Sequence, residues 1–338
     1  MKRKKILIIY TGGTIGMSKT KKGYAPSMKS FLNNLDKIEE LHNELMPKWD
    51  IVAIDPILDS SNISVNEWNK MAEVIANNYN KYDGFIMLHG TDTMAYSASA
   101  LSFMLENLDK PVIFTGSQIP LCEIRNDAKD NLITSLMIAT NDKINEVCLY
   151  FGGKLLRGNR AIKYSSEGLI AFSSPNYPAL AEAGIEIKYR DDLLLKKSNK
   201  KFNLLKLKQI PIGVLKIFPG IQFDLFESIL TEKMKGIVIE TFGSGNIPNY
   251  DGKLLPMIQR AFNSGTLVTV CSQCPHGKVS LGTYETSNSL KQAGAISGYD
   301  MTTEAAVAKL YYLFSQDLSL KQIKKQMETS LRGELDKM

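Results

Sequence analysis

The 338-residue chain is poor in cysteine, histidine and tryptophan, with four, three and two of each. Cysteines this few and this scattered, at 122, 148, 271 and 274, make no disulfide framework for so long a chain, and they fit a reducing compartment. Long apolar runs are missing too. Ile6-Leu7-Ile8-Ile9-Tyr10 is stopped at once by Thr11-Gly12-Gly13, too short for a secretion signal, and nothing later reads as a membrane span. A cytoplasmic protein with no membrane partner is the expectation. A convincing metal site is absent as well, because Cys271 and Cys274 with His276 form one Cys-x-x-Cys without a second ligand pair, and ordinary thiols are expected there. Gly12, Gly13 and Gly16 do not satisfy the G-x-G-x-x-G spacing, and no Lys-Ser or Lys-Thr follows, so no nucleotide cofactor is implied. Neither an internal repeat nor a low-complexity tail is visible.

Charge is only mildly one-sided. There are 41 basic against 35 acidic residues, net +6, and the excess sits in Lys2-Arg3-Lys4-Lys5 and in 196–208. No nucleic-acid-binding module accompanies these clusters, so they read as solvated surface and nucleic acid is not an expected partner.

The remaining composition, 44% hydrophobic and 22% charged, is that of a globular protein, and the length exceeds what one hydrophobic core usually supports. Two domains are expected. Apolar β-rich runs at 5–10, 51–54, 84–88, 111–114 and 147–150 alternate with helical patterns: one opened by the capping box Ser64-Val65-Asn66-Glu67 and running to about residue 80, and others at 93–106 and 127–139. Repeated βαβ units with strands apolar on both faces predict a doubly wound α/β domain. A lysine-rich stretch ending at Pro211 breaks the rhythm, after which strands at 213–218, 236–240 and 266–271 and helices at 254–263 and 303–315 form a second, smaller α/β unit. The predicted division is 1–188 for the larger N-terminal α/β catalytic domain, 189–211 for a connection, and 212–338 for the C-terminal α/β domain.

In open α/β sheets ligands bind beyond the carboxyl ends of the strands. Three of those ends here carry hydroxyl residues beside glycine: Thr11-Gly12-Gly13-Thr14-Ile15-Gly16, His89-Gly90-Thr91-Asp92-Thr93 and Thr115-Gly116-Ser117-Gln118. Any one of them alone is also how a turn or helix cap is built. Two such loops facing one another across a crevice, with Asp92 available to an ammonium group and N–H and hydroxyl groups available to a carboxylate, describe an amino-acid pocket. His89 ends a strand and reads as a packed histidine rather than a general base.

The first two loops resemble the signature motifs of bacterial-type L-asparaginases, and Asp59-Ser60-Ser61, Thr115-Gly116-Ser117-Gln118, Arg157-Gly158-Asn159-Arg160 with Lys163, and Gly243-Ser244-Gly245-Asn246 look like family segments in family order. The resemblance spans essentially the whole chain and is strongest with the cytoplasmic type I branch. It implies hydrolysis of the asparagine side-chain amide with no metal or organic cofactor. Thr14 matches the nucleophile and Tyr24, on a polar segment at 18–26 that could close as a lid, matches its assisting tyrosine. Thr91, Asp92 and Lys163 match the second catalytic group. Asp59, Ser60 and Ser61 match the substrate-carboxylate segment, Asp92 the ligand of the substrate ammonium, and Ser117 a further binding hydroxyl. The resemblance also implies a homodimer or homotetramer in which Asn246 reaches a neighbouring subunit's pocket. Some type I relatives carry a second, regulatory asparagine site with what looks to be arginine where this chain has Glu240, and that charge reversal argues against the site here.

Chemistry constrains these roles. A threonine hydroxyl is a poor nucleophile at neutral pH, and an internal residue such as Thr14 has no terminal amine to activate it, so a side-chain partner is required. Burial would lower the pKa of Lys163 while Asp92 would raise it, leaving open whether this lysine is a base, a relay or a fixed charge. Two rival readings are a tRNA-dependent amidotransferase subunit, which normally has an added N-terminal domain, and a non-catalytic amino-acid binder, which would need neither Thr14 nor Lys163.

Overall fold

The computed structural model describes residues 3–21, 23–227, 233–248, 252–282 and 285–337, with the side chains of 285 and 286 set aside. Lys2 of the basic run and Lys22 of the 18–26 segment lie outside the described residues. The chain divides into two compact units between Lys206 and Leu207.

The N-terminal unit is built on an eight-stranded sheet. Its strands are β1 (Lys5–Gly12), β2 (Lys48–Leu58), β3 (Gly84–Leu88), β4 (Val112–Thr115), β5 (Val147–Phe151), β6 (Lys154–Arg157), β7 (Ala181–Ala183) and β8 (Ile187–Tyr189). They lie in the order β8-β7-β6-β5-β4-β3-β1-β2, with the pairs among β1 to β5 parallel and β6 to β8 added antiparallel. The five parallel strands thus run 2-1-3-4-5, and the order reverses between β1 and β3. Loops leaving those two strands diverge, opening a crevice at their carboxyl ends.

Apolar residues on both faces explain why β1, β3, β4 and β5 sit in the middle. Ile6, Ile8 and Tyr10 of β1 and Ile86 and Leu88 of β3 pack with Phe31 and Leu35 of α1 (Met28–Leu35) and with Leu132 and Leu136 of α4 (Ala128–Ile138). Leu7, Ile9, Phe85 and Met87 alternate with them and are equally buried, on the face covered by α2 (Val65–Asn78) and α3 (Met94–Met104). Each such side chain contributes about 1.5–3 kcal/mol on burial. The capping box at Ser64 and Glu67 forms as expected and opens α2.

β2 is longer than the apolar run at 51–54. It is the sheet's edge, and exposed Lys48, Asp50 and Asp55 interrupt the hydrophobic pattern while the backbone keeps pairing with β1. Within the 189–206 segment, Asn203–Leu204 pairs antiparallel with Leu105–Glu106, so it is held against the N-terminal unit's own residues.

The C-terminal unit carries a four-stranded, all-parallel sheet of β9 (Ile212–Lys216), β10 (Gly236–Thr241), β11 (Leu267–Ser272) and β12 (Ile296–Ser297) in that order. Ile237, Ile239, Val268 and Val270 pack there with Leu254, Met257 and Ile258 of α5 (Leu254–Asn263). No helix among the described residues is long and apolar enough to cross a membrane.

Candidate active site

Three loops at the carboxyl ends of β1, β2 and β3 converge in the N-terminal unit. Gly13 holds φ at +83°, a backbone conformation that costs a residue with a Cβ about 1–2 kcal/mol. Any side chain there would also collide, because a Cβ on Gly13 would lie 2.4 Å from Gly90 Cα, and a Cβ on Gly90 would lie 2.5 Å from Ser60 Oγ. Glycine at both positions lets the backbones of Gly13 and Gly90 close on one another and the Ser60 side chain pack against Gly90. The space they leave is a cavity of about 220 Å3, lined by Thr14, Asp59, Ser60, Thr91, Asp92 and Lys163 together with Gly13, Met17, Gly90, Gln118 and Ser166.

Thr14 begins a single 3-10 turn, Thr14–Gly16, and its half-buried hydroxyl has no side-chain partner among the described residues. Thr91 is buried on the loop that leads into α3. Its hydroxyl accepts a hydrogen bond from Lys163 Nζ at 2.9 Å, and Lys163 also donates to Asp92 Oδ1 at 2.5 Å. The lysine side chain is 19% exposed and that of Asp92 63%, so the pair has one face on protein and one on the cavity. Asp59 accepts from Ser61 N at 2.9 Å and from Ser61 Oγ at 2.8 Å, bonds that hold its carboxyl below the usual carboxylate range and keep it ionised. The carbonyl of Ser60 is tied to the Thr93 hydroxyl at 2.7 Å, which locks the β2 and β3 loops together.

Behind this surface stands His89. Its Nδ1 meets the Gly90 carbonyl at 2.7 Å and its Nε2 meets Ser97 Oγ at 2.9 Å, and that hydroxyl also accepts from Trp68 Nε1 at 2.9 Å. Complete burial pushes the imidazole down to about 4, so it is neutral and serves as a brace for the Gly90-Thr91 turn. This is the packed histidine that its position at a strand end predicts.

Other candidates stand elsewhere. Tyr24 lies on the hairpin formed by Met17–Thr20 and Gly23–Pro26, 46% exposed, and its hydroxyl donates to Glu123 Oε1 at 2.5 Å rather than to Thr14. Ser61 does not line the cavity, since its hydroxyl is taken by Asp59. Ser117 is buried and donates to the Ile119 carbonyl at 2.6 Å, holding its own loop in shape. Asn246 belongs to the C-terminal unit, where its backbone closes a turn onto Phe242.

Sequence reasoning passed over Gln118, Ser166 and Met17. Gln118 is adjacent to Ser117 in a quoted segment, and only the course of the backbone after β4 decides which of the two meets the cavity. Ser166 follows a strand of two residues, Ile162–Lys163, too short to leave a periodic signal.

Comparison with known proteins bears on the whole chain. The family model described as "Asparaginase, N-terminal" matches residues 5–195, and "Glutaminase/Asparaginase C-terminal domain" matches residues 211–327. The chain is 45% identical over 335 residues to L-asparaginase 1 of Escherichia coli strain K12, covering 99% of both sequences. Among solved structures it is similar to L-asparaginase I from Vibrio cholerae, at 46% identity with a TM-score of 0.92 and 99% of each chain covered. It is also similar to the thermostable L-asparaginase from Thermococcus kodakarensis, at 31% identity with a TM-score of 0.88, covering 99% of this chain and 100% of the other.

Proposed function

This chain belongs to the asparaginase family, and from that premise we propose that it hydrolyses the side-chain amide of L-asparagine to L-aspartate and ammonia through an acyl-enzyme on Thr14. The observation that carries the assignment of residues is the close approach of Gly13 to Gly90, which puts the Thr14 and Thr91 loops on one cavity.

In the first half-reaction Thr14 Oγ bonds to the amide carbon, its proton passes to the leaving nitrogen, the C–N bond breaks and ammonia departs. In the second, a water oxygen bonds to the same carbon, the ester bond to Thr14 breaks, and a proton returns to its hydroxyl. Both steps pass through an oxyanion, which backbone N–H groups of the Thr14 or Thr91 loops would hold without reorganising during reaction. Asp92, exposed to the cavity, takes the substrate ammonium by a charge-assisted hydrogen bond, and the Ser60 end of the β2 loop takes the carboxylate. Asp59 and Ser61 fix that end, and Ser117 supports the β4 loop from behind.

Tyr24 is the proposed partner of Thr14 once the hairpin closes over bound substrate. With its hydroxyl donated to Glu123, that phenol is held above its ordinary pKa and gives up its proton less readily, so closure must part the two before Tyr24 assists. Thr91 with Lys163 and Asp92 forms the second catalytic group. The remaining parts of the reading are a cytoplasmic location, no nucleic-acid or membrane partner, and a homodimer or homotetramer with Asn246 contributed across a subunit boundary.

Ammonia release from L-asparagine by the purified chain is the deciding measurement, made beside a Thr14→Ala variant and repeated with L-glutamine. Release from asparagine that is lost in the variant supports the reading. An inactive parent chain overturns the activity, and a fully active variant overturns the nucleophile.

A further inference from the structure

We infer that Gln118 is a positioning residue that sets the direction of the Thr91–Lys163 hydrogen bond, keeping Lys163 as the proton-bearing partner in the resting enzyme. The inference rests on the reading above and adds a role for a side chain to which the sequence pattern assigned none.

Gln118 Nε2 donates to the carbonyls of Ser166 and Gly168 at 3.1 and 3.3 Å, and carbonyls only accept, so those two neighbours decide which end of the amide is nitrogen. The opposite end, Oε1, therefore faces Thr91 Oγ1, at 3.1 Å. An amide oxygen has no proton to give. The Thr91 hydroxyl is thereby the donor to Gln118, and its one proton is committed.

What remains on Thr91 Oγ1 is lone pairs, and Lys163 Nζ sits 2.9 Å from them. Lys163 must donate there, as it does to Asp92 Oδ1 at 2.5 Å. The chain runs one way: Lys163 gives to Asp92 and to Thr91, Thr91 gives to Gln118, and Gln118 gives to the loop that follows Lys163. For Lys163 to accept the Thr91 proton, the hydroxyl would have to turn away from Gln118 and leave its oxygen unsatisfied. Gln118 thus competes with a neutral Lys163 for the same proton.

Its own placement is firm. Asp127 accepts from the backbone N–H of Gln118 at 3.0 Å and of Ile119 at 3.0 Å, pinning the loop at the start of α4. Asp92 faces Lys163 directly and Asp59 lines the same cavity. Those carboxylates are untouched by changes at Gln118.

The test compares the pH dependence of kcat/KM for L-asparagine in the parent, Gln118→Met and Gln118→Glu, with thermal unfolding of each. Titration of the substrate is common to all three, and kcat/KM reports groups of the free enzyme. Gln118→Met removes the acceptor, freeing the Thr91 proton to turn toward Lys163. The alkaline limb is expected to move down by about half to one pH unit, with kcat falling about tenfold and KM changing less. Gln118→Glu keeps an acceptor and adds negative charge, so the limb is expected to move up by about one unit. Opposite displacements support the inference. Unchanged limbs, or limbs displaced in the same direction, overturn it whatever happens to kcat. Should the methionine variant fail to fold, the glutamate variant decides alone: an upward move supports and any other result overturns. Failure of the underlying activity looks different, because the parent chain itself would then release no ammonia.

Discussion

The two units are each built around parallel strands, yet the carboxyl ends of those strands are finished in opposite ways. In the C-terminal unit the polar groups at that edge satisfy one another: Glu240 Oε1 accepts from the Thr303 hydroxyl at 2.6 Å, and Gln273 Nε2 donates to the carbonyls of Ile217 and Glu240 at 2.6 and 2.9 Å. In the N-terminal unit, glycine at 13 and 90 lets two backbones and the Ser60 side chain close together and leaves Thr14, Asp92 and Lys163 at the wall of a cavity. Among the described residues only the N-terminal sheet reverses its strand order, between β1 and β3, and so opens a crevice at that edge.

The sharpest way to break this contrast is at Thr14, whose hydroxyl has no side-chain partner among the described residues. Thr14→Ala should lower ammonia release from L-asparagine by about 10⁴-fold or more while thermal unfolding stays within a few degrees of the parent, because a half-buried methyl replaces no structural hydrogen bond. Thr91→Val and Lys163→Met should each cost about 10²–10³-fold in kcat, and the double variant should cost about as much as the worse single one, since the two side chains act as one hydrogen-bonded unit. Steady-state kinetics on the three variants would detect additivity if the pair were independent.

Next in size is the backbone approach itself. Gly90→Ala should lower kcat/KM about 10²-fold by pushing the Thr91 loop off Ser60, whereas Gly220→Ala in the C-terminal unit, where a Cβ meets nothing within 4 Å, should leave activity unchanged. Both changes will lower stability, the second by about 1–2 kcal/mol from its positive φ alone, and unfolding midpoints separate that strain from the collision.

The smallest effect on turnover concerns the brace. His89 is neutral in the fold with its pKa lowered to about 4, against about 6.5 when unfolded, so unfolding takes up a proton between those values. Its contribution is fully present above pH 6.5 and is lost as pH falls through that window, by up to about 3 kcal/mol. Denaturant unfolding from pH 7 to 4 should show a steeper decline for the parent than for His89→Gln, which takes up no proton there. Equal slopes would remove the brace from the account.

Much of this was legible in the linear sequence because it is written in local patterns. Continuous apolar runs, a capping box at Ser64 and Glu67, and hydroxyl-glycine turns after strands are decided by neighbouring residues, and the family motifs around Thr14 and Thr91 lie in two short stretches. Position at the sheet edge was not legible, since Lys48 and Asp50 of β2 alternate polar residues into a strand whose partner, β1, is more than forty residues away in the chain. The choice between Ser117 and Gln118 was equally hidden, as was the bond from Tyr24 to Glu123, which joins residues 99 apart.

By itself, then, the sequence determined the fold class and the family and pointed to the candidate reactive side chains, because propensity, periodicity and motif need no knowledge of what lies across the sheet. Only the tertiary structure decided which hydroxyls share a cavity, which proton each one gives, and which candidate is occupied elsewhere. Those outcomes depend on distances between loops that separate strands hold together, and hydrogen-bond direction changes with displacements of less than an ångström.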